Sequence, residues 1–199
     1  SRRCIEHVWR EWATSVGRDP APFLAVAHGR RTSEVLRDLA PDLDIRAEVE
    51  RLAGMEQRET RGLAAVPGAA DLLAALPPAT WGIVTSCSPA VARLRMSVAG
   101  VEEPAVLIRG ADVQRGKPDP EGYLLGASRL GVLPGDCVVV EDAPAGVAAG
   151  RAAGMYVVAV YGAGSGYGLD EANSIIRRFA DLQVSVGGSG DLQLDVRGG

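Results

Sequence analysis

The chain has 199 residues, a formal net charge of −4, 47% hydrophobic and 23% charged residues, the composition of a soluble globular protein with room for one domain and a small second one. The acidic balance argues against a nucleic-acid surface, because phosphate backbones attract basic patches, yet a locally positive pocket can still hold a small anion. Cys4, Cys87 and Cys137 lie far apart with no CxxC or Cys/His metal spacing, so neither a disulfide framework nor a zinc site is expected, a reducing cytoplasm fits best, and no apolar run reaches the roughly 18 residues of a membrane span.

The first third reads as helices. Cys4, Ile5, Val8, Trp9 and Trp12 recur at helical spacing and Gly17 suits the stop. The turn RDPAP leads into a short apolar stretch at 23–27 and the polar loop HGRRTSE. A helix is expected over about 33–39 and a long one over 45–62, with no β-rich run between them.

From Val66 the character changes. VPGAADLLAAL reads as a turn and a helix stopped by Pro77 and Pro78. TWGIVT is a short strand, PAVARLRMSVAG a helix ending on Gly100, and AVLIR a second strand. A helix over 120–130 follows, with Asp119 as N-cap and Pro120 at its first position. CVVVE lacks polar alternation and is expected to be buried on both faces; APAGVAAGRAAG is a helix and MYVVAVY another buried strand. Strands alternating with helices predict an α/β fold with a parallel sheet covered on both sides. In the tail, Leu182, Val184 and Val186, then GGSGD, then Leu192, Leu194 and Val196 give the alternation of a β-hairpin, expected over 182–196 as an edge hairpin extending the sheet.

Ligands of open α/β sheets bind beyond the carboxyl ends of the strands. Thr85, Ser86, Cys87 and Ser88 follow the first strand, Lys117 comes after the second, and Glu141 and Asp142 end the third. Hydroxyls and backbone N–H groups can hold phosphoryl oxygens, a lysine can neutralise their charge, and carboxylates suit Mg2+. Each feature alone has a plainer explanation: a helix cap, a solvated charge, an acidic pair favoured by a helix dipole. Their succession at three strand ends of one sheet points to a phosphate-handling site.

VTSCS, GKPDPEGYLLGA and VVVEDAPAGVAAGRAAGM resemble motifs two, three and four of the haloacid dehalogenase superfamily. HGRRTSEVL and the terminal hairpin are similar to its sugar-phosphatase branch, with the glycerol-3-phosphate and 2-deoxyglucose-6-phosphate phosphatases; the core motifs are also similar to the β-phosphoglucomutases. The resemblance spans essentially the whole chain. It implies a three-layer α/β/α, Rossmann-like core over 66–199 and a helical cap over 1–65. It implies that Thr85, or its neighbour Ser86, binds the transferring phosphoryl group. Lys117 would orient and neutralise it, Asp142 would ligate Mg2+ with Glu141 assisting, and Arg30, Arg31 or Thr32 would contact the sugar. His28 reads as a loop residue.

The family's first motif, DxDGT, carries the nucleophilic aspartate and the acid/base aspartate on the first, central strand. The 199 residues do not contain it; Asp42-Leu43-Asp44 is followed by Ile45 and reads as a turn capping the next helix. Ser1 matches the serine that follows DGT in the family. The expectation is therefore a missing central strand just upstream, and a chain nearly inert without it. The intact protein is expected to be a Mg2+-dependent phosphatase of small sugar or polyol phosphates, acting through an aspartyl phosphate. A phosphomutase and a non-catalytic phosphate-binding remnant are the alternatives. No nucleic-acid or membrane partner is expected, and the expected partner is a small phosphorylated sugar or polyol.

Overall fold

The computed structural model describes residues 2–161, 168–186 and 192–197. Four helices come first: α1 (Arg2–Ser15), α2 (Ala21–Val26), α3 (Thr32–Leu39) and α4 (Ile45–Arg58). Their apolar faces meet in a core of their own, in which Val8, Trp12, Val35, Leu36 and Leu52 are buried. Trp12 stands edge-on to Trp9 and Phe23, with ring centroids 5.4 and 5.1 Å away, a favourable aromatic geometry. Its indole N–H would be orphaned there, and it donates to Glu48 Oε2 at 2.6 Å. Asp44 caps α4 by accepting from the N–H groups of Arg46 and Ala47, as a helix-capping turn requires. α4 stops at Arg58, four residues before the expected Gly62.

The remaining chain alternates. Helices α5 (Ala69–Ala75), α6 (Pro89–Ala99), α7 (Glu121–Leu130) and α8 (Pro144–Ala152) separate strands β1 (Gly82–Val84), β2 (Val106–Ile108), β3 (Val138–Glu141) and β4 (Tyr156–Val160). Strand β5 (Ser174–Ile176) follows, then β6 (Leu182–Val186) and β7 (Leu192–Val196). α7 begins one residue later than expected, after Pro120, and Asp119 accepts the N–H of Glu121 at 3.0 Å. All pairings from β1 to β5 are parallel, β6 and β7 are antiparallel, and the hairpin turn expected at 187–191 lies outside the described residues.

Three features bear on the sequence reading, and the second and third depart from it. First, among the described residues the parallel strands form two sheets, β1-β2 and β3-β4-β5, and no pairing joins β1 to β3. Secondly, β3 is not buried on both faces. Val139 is 6% exposed and packs with residues of α7 and α8, but Val138 and Val140 on the opposite face are 42% and 37% exposed, since burial of one face of a strand does not cover the other. β4 does bury Val157 to Val160. Thirdly, the C-terminal hairpin is a sheet of its own rather than an extension of the parallel one. It binds the core by its face: Leu182, Leu194 and Val196 cluster with Val158, Val160, Ile176 and Phe179.

Candidate active site

Three strand ends open on one cavity of about 740 Å3, which is also bordered by the loop between α2 and α3. Lys117 lies in the loop between β2 and α7 and is 8% exposed. Burying a cation requires partners, and Lys117 has three. Its Nζ donates to Val84 O at 3.1 Å, forms a very short ion pair with Glu141, and stands 4.8 Å from the Tyr123 ring centroid.

Glu141, at the end of β3, is the anchor of this arrangement. Its Oε1 accepts from Lys117 and, at 2.5 Å, from the Tyr123 hydroxyl. Its Oε2 accepts from the N–H groups of Asp142 and Ala143 at 3.1 and 3.3 Å. Burial pushes the carboxyl up, but Lys117 and these hydrogen bonds outweigh burial and hold it below the usual carboxylate range. Burial, reinforced by Glu141, drives Tyr123 well above the ordinary phenol value, so it remains a donor. Gly146 in α8 makes room for this carboxylate: a Cβ there would stand 2.1 Å from Glu141 Cδ.

Asp142 faces differently. Its side chain is 59% exposed and its Oδ2 lies 3.7 Å from His28 Nε2. Thr85 sits beyond β1 with its Oγ1 accepting the Cys87 N–H at 3.2 Å, and Ser88 caps α6. The hydroxyl of Ser86 donates to Gly29 O at 2.7 Å, tying the strand-end loop to the helical segment.

A stronger tie lies alongside. Arg31 Nη1 donates to Gly110 O and Val113 O at 3.0 and 2.9 Å, and Nη2 donates to Gln114 O and Glu34 Oε1, both at 2.5 Å. Glu34 in turn accepts the Gly116 N–H at 2.8 Å. Burial raises the Glu34 carboxyl, but Arg31 and the Gly116 N–H more than reverse this and leave it lowered. Gly116 admits the clamp, since a Cβ would stand 2.7 Å from Arg31 Cγ. The clamp therefore grips the residue that precedes Lys117.

Lys117, Thr85, Ser86, Glu141 and Asp142, expected together from the sequence, all border the cavity, as do Arg30, Arg31 and Thr32. Two of the expected ligands are otherwise engaged. The terminal nitrogens of Arg31 hold the loop, and both oxygens of Glu141 accept protein donors, leaving Asp142 as the carboxylate without such bonds. Arg30 pairs with Asp38 at 2.8 Å. Among the described residues no three His, Cys, Asp or Glu side chains converge as a metal cage. Sequence reasoning did not single out Tyr123 or Glu34. Tyr123 lies in the GKPDPEGY string and could have been suspected as a buried hydroxyl needing a partner; nothing in the sequence marked Glu34.

Residues 5–154 match the haloacid dehalogenase-like hydrolase family. Hexitol phosphatase A of Escherichia coli K12 is 42% identical over 193 residues, 94% of this chain and 89% of that protein. Glycerol-1-phosphate phosphohydrolase 1 of Saccharomyces cerevisiae is 34% identical over 176 residues, 80% of this chain and 69% of its own. Among solved structures, β-phosphoglucomutase from Clostridium difficile superimposes with a TM-score of 0.76 over 92% of this chain and 86% of that one, at 21% identity, a likeness of fold. The chain belongs to the haloacid dehalogenase-like hydrolases, and its relatives include named phosphoric monoester hydrolases.

Proposed function

We propose that this hydrolase releases phosphate from small sugar or polyol monophosphates at the Lys117–Thr85–Asp142 cluster. The observation that carries the reading is the junction of Lys117 with Glu141 across β1 and β3, in a cavity that Thr85 and Asp142 also line. A cation, a hydroxyl and an exposed carboxylate from three strand ends suit one phosphoryl group and one metal ion. The relatives' substrates support the choice of a small hydroxylated monophosphate, and the cavity has the size of a small-molecule site.

In this reading the Thr85 hydroxyl and nearby N–H groups hold phosphoryl oxygens. Lys117, fixed by Glu141 and Tyr123, offsets their charge. Phosphoryl transfer depends chiefly on such positioning and charge stabilisation. The donor set is compatible with Mg2+, a hard cation that accepts one or two carboxylates and keeps several waters. Asp142 would hold it, with Glu141 supporting from behind, and the ion would supply charge neutralisation at the phosphate. Helices α1 to α4 act as a cap whose loop, from His28 to Thr32, closes on the substrate. Three unpaired cysteines fit a reducing cytoplasm, and among the described residues no helix is long and apolar enough to cross a membrane.

The aspartyl-phosphate route needs a nucleophile. A parallel strand laid between β1 and β3 and ending in DxDGT would deliver its aspartates beside Lys117 and Asp142. The test is phosphate release with Mg2+ from glycerol, hexitol and hexose monophosphates. It uses the 199-residue chain alone and the same chain preceded by such a strand. Release is expected from the longer protein only, and to be lost when the first Asp of DxDGT becomes Asn. Turnover by the shorter one would place the nucleophile within 1–199, and isomerisation of glucose 1-phosphate without phosphate release would make the protein a mutase.

A further inference from the structure

The other flank of the cavity holds a polar pair that this chemistry does not use. Glu56 on α4 and Arg95 on α6 both border the cavity, with side chains only 13% and 21% exposed. One long contact joins them, from Arg95 Nη2 to Glu56 Oε2 at 3.4 Å. Arg95 Nη1 donates to Cys87 Sγ at 2.9 Å, and sulfur is a weak acceptor. Among the described residues no donor reaches Glu56 Oε1. Burial dominates the Glu56 carboxyl and pushes it up in spite of Arg95, the reverse of what happens at Glu141. The two buried carboxylates thus differ in one respect: Glu141 is fully satisfied by the protein and Glu56 is not.

The unpartnered Glu56 oxygen is open to the cavity rather than sealed in the core, so a donor on a ligand can reach it. This pair stays long and faces open space. Glu56 can accept and Arg95 can donate, which together match hydroxyl groups, each of them both donor and acceptor. Position fits too: Arg95 touches Cys87, two residues beyond Thr85 by number, so the pair adjoins the hydroxyl assigned to the phosphate.

We propose that Glu56 and Arg95 form a hydroxyl-binding subsite that takes the far end of an open-chain polyhydroxy monophosphate whose phosphate lies at Thr85 and Lys117. The assignment rests on the phosphate reading above and adds specificity to it. Substrates with several hydroxyls carry donors out to Glu56, which a phosphate ion held at Thr85 and Lys117 does not. Glu56 and Arg95 belong to different packing units, α4 to the helical segment and α6 to the α/β core, so a ligand engaging both also draws them together.

Calorimetric titration of the full chain decides it, with glucitol 6-phosphate and inorganic phosphate as probes. The wild type is expected to bind glucitol 6-phosphate at least about tenfold more tightly than inorganic phosphate, since a hydrogen bond to a buried charge is worth that much or more. Glu56→Gln should cut this preference about tenfold while leaving inorganic phosphate binding unchanged, which also shows that the variant is folded. Arg95→Gln should do the same from the other side of the pair. Lys117→Met should weaken both probes together. The subsite is overturned if the wild type binds the two probes equally, or if both Glu56→Gln and Arg95→Gln keep the preference. The phosphate reading fails separately if Lys117→Met binds inorganic phosphate as well as the wild type does.

Discussion

Glu141 and Asp142 are chain neighbours with opposite surroundings. Glu141 points inward and is surrounded by donors; Asp142 points to solvent beside His28. The sequence placed both at a strand end but could not say which faces the lysine, because adjacent residues leaving a strand differ only in direction. The same limit applies to Arg30 and Arg31: identical side chains, one paired with Asp38 and one clamped on a loop. The Lys117–Glu141 pair carries a pH prediction. Glu141 is lowered in the folded protein, so its contribution to stability is present above the ordinary carboxylate value of 4.5 and is lost as pH falls below that. In Lys117→Met the main opposing cation is gone, so burial works against the charged carboxyl with only the Tyr123 and backbone hydrogen bonds to oppose it, and this contribution shrinks. Removing one partner of a buried pair costs about 3 kcal/mol. Thermal unfolding from pH 4 to 8 should therefore show the variant close to the wild type in acid and diverging from it toward neutrality. A pH-independent gap between the two would refute this account of Glu141.

At the scale of elements, period and punctuation made much of the fold legible. Helices α1, α3, α6 and α8 fall within a residue or two of their expected ranges because Gly17 and Gly100, with φ of +71° and +67°, end two of them and apolar spacing sets the rest. β5 was not anticipated, since three residues carry no period. The exposure of Val138 and Val140 was missed for a different reason: an apolar run says that a strand can be buried, not that its neighbours are present. The Arg31–Glu34 clamp was equally illegible, because its acceptors are backbone carbonyls some eighty positions away. It predicts a local effect. Arg31→Met leaves the carbonyls of Gly110, Val113 and Gln114 without that donor, at a cost of about 2 kcal/mol. Hydrogen exchange at the Gly116 N–H, which Glu34 accepts, should accelerate far more than at Leu52 in the core of the helical segment. Equal acceleration at both would mean that the substitution unsettles the whole molecule rather than the clamp.

At the scale of the whole molecule, the two parallel sheets stand apart among the described residues. The edge of β1 that faces away from β2, and that of β3 away from β4, have no strand partner among the described residues. Val138 and Val140 are exposed beside one of them. Unpaired parallel edges with apolar side chains are templates for pairing with another chain. Both β1 and β3 run parallel to their existing neighbours, so a single strand that joined the two sheets into one parallel sheet would have to run parallel to both. A helix cannot join them, because it has no free backbone donors along its length. The expected outcome is specific. The 199-residue chain should associate in a concentration-dependent way that sedimentation velocity detects. A strand of alternating apolar residues, joined ahead of Arg2, should suppress the association and raise the melting temperature. One such strand buries several apolar side chains at about 1.5 kcal/mol or more each, so a rise well above the few degrees of a typical surface change is anticipated. Placing a proline at its centre should remove much of the gain, because proline cannot donate to a ladder and is confined to sheet edges. If the proline-bearing segment stabilises the protein as well as the uninterrupted one, the segment binds elsewhere, and the space between β1 and β3 is not a strand site.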